Sequence, residues 1–133
     1  MRDARVLPVL LALVLLLGFP TACSRGARTE ALPDYQLQLR VLPHPPQVGE
    51  STLILSLTDA EGRPVSGARL EIKGDMSHAG MQPVLTEALP GDPGTYKALI
   101  TWSMAGDWIV TITVKLPDGR RFRRRFDLTV VGG

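Results

Sequence analysis

Ser51-Thr-Leu-Ile-Leu-Ser-Leu-Thr58 decides the fold. Every second residue from Leu53 to Leu57 is leucine. A period of two is the side-chain period of an extended strand, so Leu53, Leu55 and Leu57 share one face. The run before it, Tyr35-Gln-Leu-Gln-Leu-Arg-Val-Leu42, alternates in the same way and puts Leu37, Leu39 and Val41 together. Pro43-His44-Pro45-Pro46 stops that strand. On the other side, Asp59-Ala-Glu-Gly-Arg-Pro64 is turn chemistry, because Gly accepts positive φ and Pro fixes its own. Gly67 to Lys73 follows, with Ala68, Leu70 and Ile72 inward. Gln82 to Leu89 is a weaker run, and Leu89-Pro-Gly-Asp-Pro-Gly94 is a firm break. Thr95 to Trp102, Trp108 to Leu116 and Arg121 to Val131 complete the set, with a Pro117-Asp118-Gly119 turn before the last. No convincing 3.6-residue stripe interrupts the series from Cys23 onward. Seven short strands with turn signals between them predict an all-β, immunoglobulin-like sandwich. The chain has a single Cys, so no intrachain disulfide staples it.

The N-terminus reads differently. Arg2 and Arg5 precede the uncharged apolar run Val6–Phe19. That run is short of the roughly 20 apolar residues of a membrane-spanning helix, and its basic start and small-residue end describe an export signal. The segment closes on Pro20-Thr21-Ala22-Cys23, which resembles a bacterial lipobox. In that family the Cys becomes the first mature residue and carries lipid. The expected organisation is a signal helix over 1–22, a lipid-anchored flexible tether over 23–34 and the sandwich over 35–133. The product would be an exported protein, held through Cys23 to a bacterial membrane on its periplasmic or cell-surface side.

The formal charge is +2, of which Arg2, Asp3 and Arg5 together account for +1. So balanced a domain is not expected to bind nucleic acid. Catalysis finds little support. There is no Gly-x-Ser-x-Gly elbow or phosphate-binding Gly loop, and Ser77 beside His78 lacks an orienting third group.

The methionines and histidines are unevenly placed. Gly74-Asp-Met76-Ser-His78-Ala-Gly-Met81-Gln-Pro83 packs two Met and one His between the third and fourth strands. Met104 lies between the fifth and sixth, and His44 between the first and second. If each strand reverses direction, those three connections share one end of the sandwich. Thioether sulfur is a soft neutral donor suited to Cu(I), and imidazole suits copper as well. Met76, His78, Met81 and Met104 are therefore the candidate metal ligands, with His44 an outside candidate. Binding of this kind should weaken as His78 protonates. The competing reading is that Met fills irregular gaps in a core, and Met beside a loop often does only that.

Several short motifs occur together: Gly62-Arg-Pro64-Val-x-Gly-Ala68, Met76-x-His78-Ala-Gly-Met81-x-Pro83, Gly94-x-Tyr96-x-Ala98 and Met104-Ala-Gly-Asp-Trp108. Together they resemble the YtkA-like/FixH-like domain family, over about Leu37 to Val130. The resemblance implies an exported or membrane-anchored sandwich associated with copper handling. Its partner would be an envelope protein that gives or receives the copper. The alternative is a non-metal interaction module whose Met-rich end is an adaptable contact surface.

Two further features are open at this stage. Trp102 and Trp108 flank the Met104 turn, as shields over a metal or as core aromatics, and Asp107 is expected to cap that turn through backbone N–H groups. Arg120-Arg-Phe-Arg-Arg-Arg-Phe126 is either a solvated strand face or a contact for anionic lipid headgroups. In it Phe122 and Phe126 point inward and Arg124, on the same side, must reach an edge or a carboxylate.

Overall fold

The computed structural model describes residues 34–78 and 80–133. The signal segment, Cys23 and the tether up to Pro33 lie outside the described residues. Seven strands occur: β1 Gln36–Leu42, β2 Gly49–Thr58, β3 Arg69–Met76, β4 Val84–Pro90, β5 Thr95–Trp102, β6 Gly106–Lys115 and β7 Arg121–Val130. Their order is β1-β2-β5-β4-β3-β6-β7, and every neighbouring pair is antiparallel.

The ribbon doubles over at β4. That strand pairs with β3 from Gly74↔Val84 to Leu70↔Ala88, and then with β5 at only Leu89↔Lys97 and Pro90↔Tyr96. The fold is therefore two layers, β1-β2-β5 and β3-β6-β7, with β4 crossing between them. This is an immunoglobulin-like β-sandwich. Period-two alternation supplies its core from both layers. Leu53, Leu55 and Leu57 of β2 meet Leu70 and Ile72 of β3, Val110, Ile112 and Val114 of β6 and Phe122 of β7, all buried in one cluster. Excluding these side chains from water is the main drive for closing the layers.

Met76 departs from the sequence expectation. It ends strand β3, opposite Trp108, rather than standing in a loop. The inward alternation Leu70, Ile72, Gly74, Met76 simply continues past Lys73. Gly74 is a strand residue without a side chain because its inward position is taken: a Cβ there would lie 3.2 Å from Ile100 Cδ1 and 3.8 Å from Trp102 Cζ3. Arg124 reaches the start of the first strand. Its guanidinium donates to the Tyr35 carbonyl at 3.0 Å and sits 5.0 Å above the Phe122 ring.

Candidate metal centre

Strict antiparallel alternation brings three connections, 43–48, 77–83 and 103–105, to one end of the sandwich. The register pairs Gly49↔Trp102, Met76↔Trp108 and Gly106↔Val130 lie there. The first connection is tied in by backbone bonds to the chain after β7. Val48 N–H donates to the Val131 carbonyl at 3.1 Å, and Val131 N–H to the Pro46 carbonyl at 2.9 Å. His44, Met76, His78, Met81 and Met104 are all at this end. Among the described residues, the opposite end, formed by the turns around Gly62, Asp92 and Asp118, holds neither Met nor His.

Burial divides the five residues. Met76 is in the core, 8% exposed, and its Cε would lie 2.9 Å from a Cβ placed on Gly106. Its methyl group thus occupies the space that Gly106 leaves, at φ +136°, just past the Met104 turn. Met81 is half-buried and packs against the core cluster. Met104 is 38% exposed, and His78 and His44 are exposed. Met76 and Met104 are both tied to Trp108 through their backbones. Met76 is the register partner of Trp108, and the Trp108 Nε1–H donates to the Met104 carbonyl at 3.1 Å. That bond folds the 103–105 turn back over β6.

The tryptophans form the floor of this end. Both are fully buried and meet edge-to-face with ring centroids 5.1 Å apart. Such a pair contributes about 0.5–1.5 kcal/mol beyond its buried area. Trp102 Nε1–H donates to the buried Ser51 Oγ at 2.9 Å, so neither indole N–H is left unsatisfied. Ser51 was not singled out in the sequence. Its signal was faint: a small polar residue heading a leucine-rich strand. Asp107 does not cap the turn through its carboxylate as expected. Its Oδ1 accepts from Thr129 Oγ1 at 2.9 Å across the β6–β7 pair, while its carbonyl accepts from Ser77 N–H at 3.1 Å. The reason is register: Asp107 already lies in β6, directly opposite Thr129.

Among the described residues, no three His, Cys, Asp or Glu side chains come together as a metal-binding group. The Met and His side chains at this end are thioethers and imidazoles, a soft to intermediate set, beside the carboxylates of Asp75, Asp107 and Asp127. Two open grooves of about 650 and 660 Å³ flank β4 on the outer surface, and neither is lined by Met or His.

The architecture is that of an immunoglobulin-like sandwich module. The family model described as YtkA-like matches residues 29–113, and the chain belongs to the YtkA-like family. Membership suggests an exported domain. No curated protein matches the chain. Similar solved structures include murine CRIg, at 14% identity and a TM-score of 0.42, covering 74% of this chain and 98% of that one. The PmoD soluble domain from Methylocystis sp. ATCC 49242 (Rockwell) is 14% identical, with a TM-score of 0.44, covering 73% of this chain and 90% of that one. A cohesin module from a Clostridium perfringens ATCC13124 family 33 glycoside hydrolase is 10% identical, with a TM-score of 0.39, covering 74% of this chain and 98% of that one.

Proposed function

We propose that this chain is an exported Cu(I)-binding domain, anchored through lipid on Cys23, that exchanges copper with another envelope protein. The observation that carries the reading is the segregation of donors. All three methionines beyond Met1 and both histidines sit at one end of the sandwich, and the other end has none. Met76, His78, Met81 and Met104 would hold the ion, with His44 the outlying donor. Thioethers are neutral and resist oxidation to a disulfide, which suits copper in an oxidising exported compartment. Exposure of Met104 and His78 gives a partner access to the ion, as exchange requires.

A second reading is a non-metal interaction module, in which the Met-rich end is an apolar contact surface. The burial of Met76 favours it, since that side chain already has a packing role.

Anaerobic Cu(I) titration of the full chain against a chromophoric Cu(I) chelator separates the two. The copper reading expects about one equivalent, lost in Met76→Leu/Met81→Leu and weakened in Met104→Leu. Leu for Met conserves volume and usually costs less than about 1.5 kcal/mol, so the fold should survive. Met104→Leu tests the same point at an exposed site. Stoichiometric binding that ignores all three substitutions would assign the metal elsewhere, and no binding by the unaltered chain would leave the interaction reading.

A further inference from the structure

The arginine run of β7 is part of a larger pattern on the outer face of the β3-β6-β7 layer. Register assembles the face in rows. The row at the Tyr35 end is Arg69, Lys115 and Arg121, directly opposite one another on three adjacent strands. The next row is Glu71, Thr113 and Arg123, and the third is Lys73, Thr111 and Arg125. Beyond these come Asp75, Ile109 and Asp127, and finally Asp107 and Thr129. The face therefore changes sign along its length, from cationic at the Tyr35 end to acidic at the Met/His end.

Ion pairs quench part of the pattern. Arg69 is held by Glu71 and Glu87, Lys73 by Asp75, and Arg125 by Asp127. Among the described residues, Lys115, Arg121 and Arg123 have no carboxylate partner. Like charges directly across a strand pair are destabilising, and Lys115↔Arg121 is such a pair with neither member neutralised. Protection of a sheet edge explains arginines on β7, but it does not explain Lys115 on β6 or Arg69 on β3, which are interior strands. A row kept at a cost to stability points to an anion outside the molecule.

The place of the row names that anion. Tyr35, where the described chain begins its first strand, is fastened to this same end. Arg120 Nη2 donates to Tyr35 Oη at 2.8 Å, Arg124 donates to its carbonyl, and its ring stacks on Phe122 with centroids 5.9 Å apart. The segment from Cys23 to Tyr35 spans at most about 40 Å when fully extended. An anchor at Cys23 thus keeps the Tyr35 end within about 40 Å of the bilayer.

We infer that Lys115, Arg121 and Arg123 form a docking face for anionic lipid headgroups, which seats the cationic end of this layer on its membrane and tilts the acidic Met/His end away from it. This rests on the anchored reading above and adds an orientation to it.

The test is an arginine footprint. Full-length protein is reconstituted into phosphatidylcholine vesicles with or without phosphatidylglycerol. Phenylglyoxal modification of each arginine is then followed by mass spectrometry. Arg121 and Arg123 should react at least about fivefold more slowly in the anionic vesicles, and Arg40, on the outer face of the other layer, should not change. At about 1 M salt, where screening acts within about 3 Å, the protection should vanish. Equal rates in both kinds of vesicle, or protection that survives high salt, would overturn the inference and leave the cations to an acidic protein partner. Incorporation of labelled palmitate into the same protein, and its loss in Cys23→Ala, reports the anchor separately. Palmitate labelling without protection refutes the docking face alone. Protection without labelling refutes the lipid anchor alone.

Discussion

The two ends of the sandwich are built from opposite chemistry. At the Tyr35 end, polar groups are committed to the backbone. Asp59 Oδ1 accepts from the N–H groups of Glu61 and Arg63, Asp118 Oδ1 accepts from Arg120 N–H, and the Tyr96 hydroxyl bonds Val65 and Ala68. Gly94 is wedged beneath Pro64 in the same region, with its carbonyl accepting from Leu57 N–H. At the Met/His end, two indoles and a thioether fill the space, and exposed Met104, His78 and His44 surround them. Carboxylates cap turns through backbone N–H groups at one end, while at the other Asp107 bonds a side chain and the thioethers and imidazoles collect.

The same substitution made at each end is the strongest test of that contrast. Gly94→Ala imposes φ +71° on an L residue and drives its Cβ to 2.6 Å from Pro64 Cβ and 2.9 Å from the Leu57 carbonyl. Left-handed strain costs about 1–3 kcal/mol and overpacking a similar amount, so a loss of about 4 kcal/mol is expected in denaturant unfolding. Gly106→Ala carries the larger backbone strain, since φ +136° lies outside the left-handed region open to L residues, but its Cβ meets only Met76 Cε, the far end of a flexible side chain. The expected loss is about 2 kcal/mol. If the Met76 sulfur is a copper donor, Gly106→Ala also lowers Cu(I) affinity, and Gly94→Ala, measured where it is folded, does not. Equal stability losses would mean the Met/His end is as tightly built as the other. An unchanged affinity in Gly106→Ala would argue for Met76 as packing alone.

Alternation alone was enough to read the seven strands and the two-layer fold, because a period of two has one structural meaning when turns bound it. The β-strand limits shifted where glycine misled. The third strand was read as ending at Lys73, yet it runs on through Gly74, whose missing side chain makes room for the tryptophans packed over it. Chain reversal also made legible that Met and His share an end. What was hidden was depth. The alternation Leu70, Ile72, Gly74, Met76 does mark Met76 as inward, but its seat against Gly106, which is distant in sequence, leaves no trace in the spacing. The Arg69–Lys115–Arg121 row was hidden for the same reason. It exists only through register between β3, β6 and β7, and the run Arg120–Phe126 shows just one member strand.

Acid should distinguish the ends by the smallest effect. The backbone N–H of Arg63, donated to the Asp59 carboxylate, lowers its pKa below the usual value, helped by the Arg63 guanidinium. Asp118 is lowered first by the Arg120 backbone N–H and then by its side chain. A carboxylate whose pKa falls on folding contributes stability that is fully present above its unfolded pKa, and that contribution disappears as the pH drops through the folded value. Both carboxylates are on the surface, so solvent screening keeps the gain small. The expected outcome is local. In an NMR titration from neutral pH to well below about pH 4, the Glu61, Arg63 and Arg120 amides should shift together as their acceptors protonate, with midpoints below the ordinary carboxylate range. The indole N–H of Trp108 should hold its position through that window, because its acceptor is the Met104 carbonyl, which does not titrate. Asp59→Asn should abolish the transition at Glu61 and Arg63 and leave the one at Arg120. If the Trp108 signal instead moved with the Arg63 amide, the two ends would be coupled through the core, and the division between a fixed end and an open one would fail.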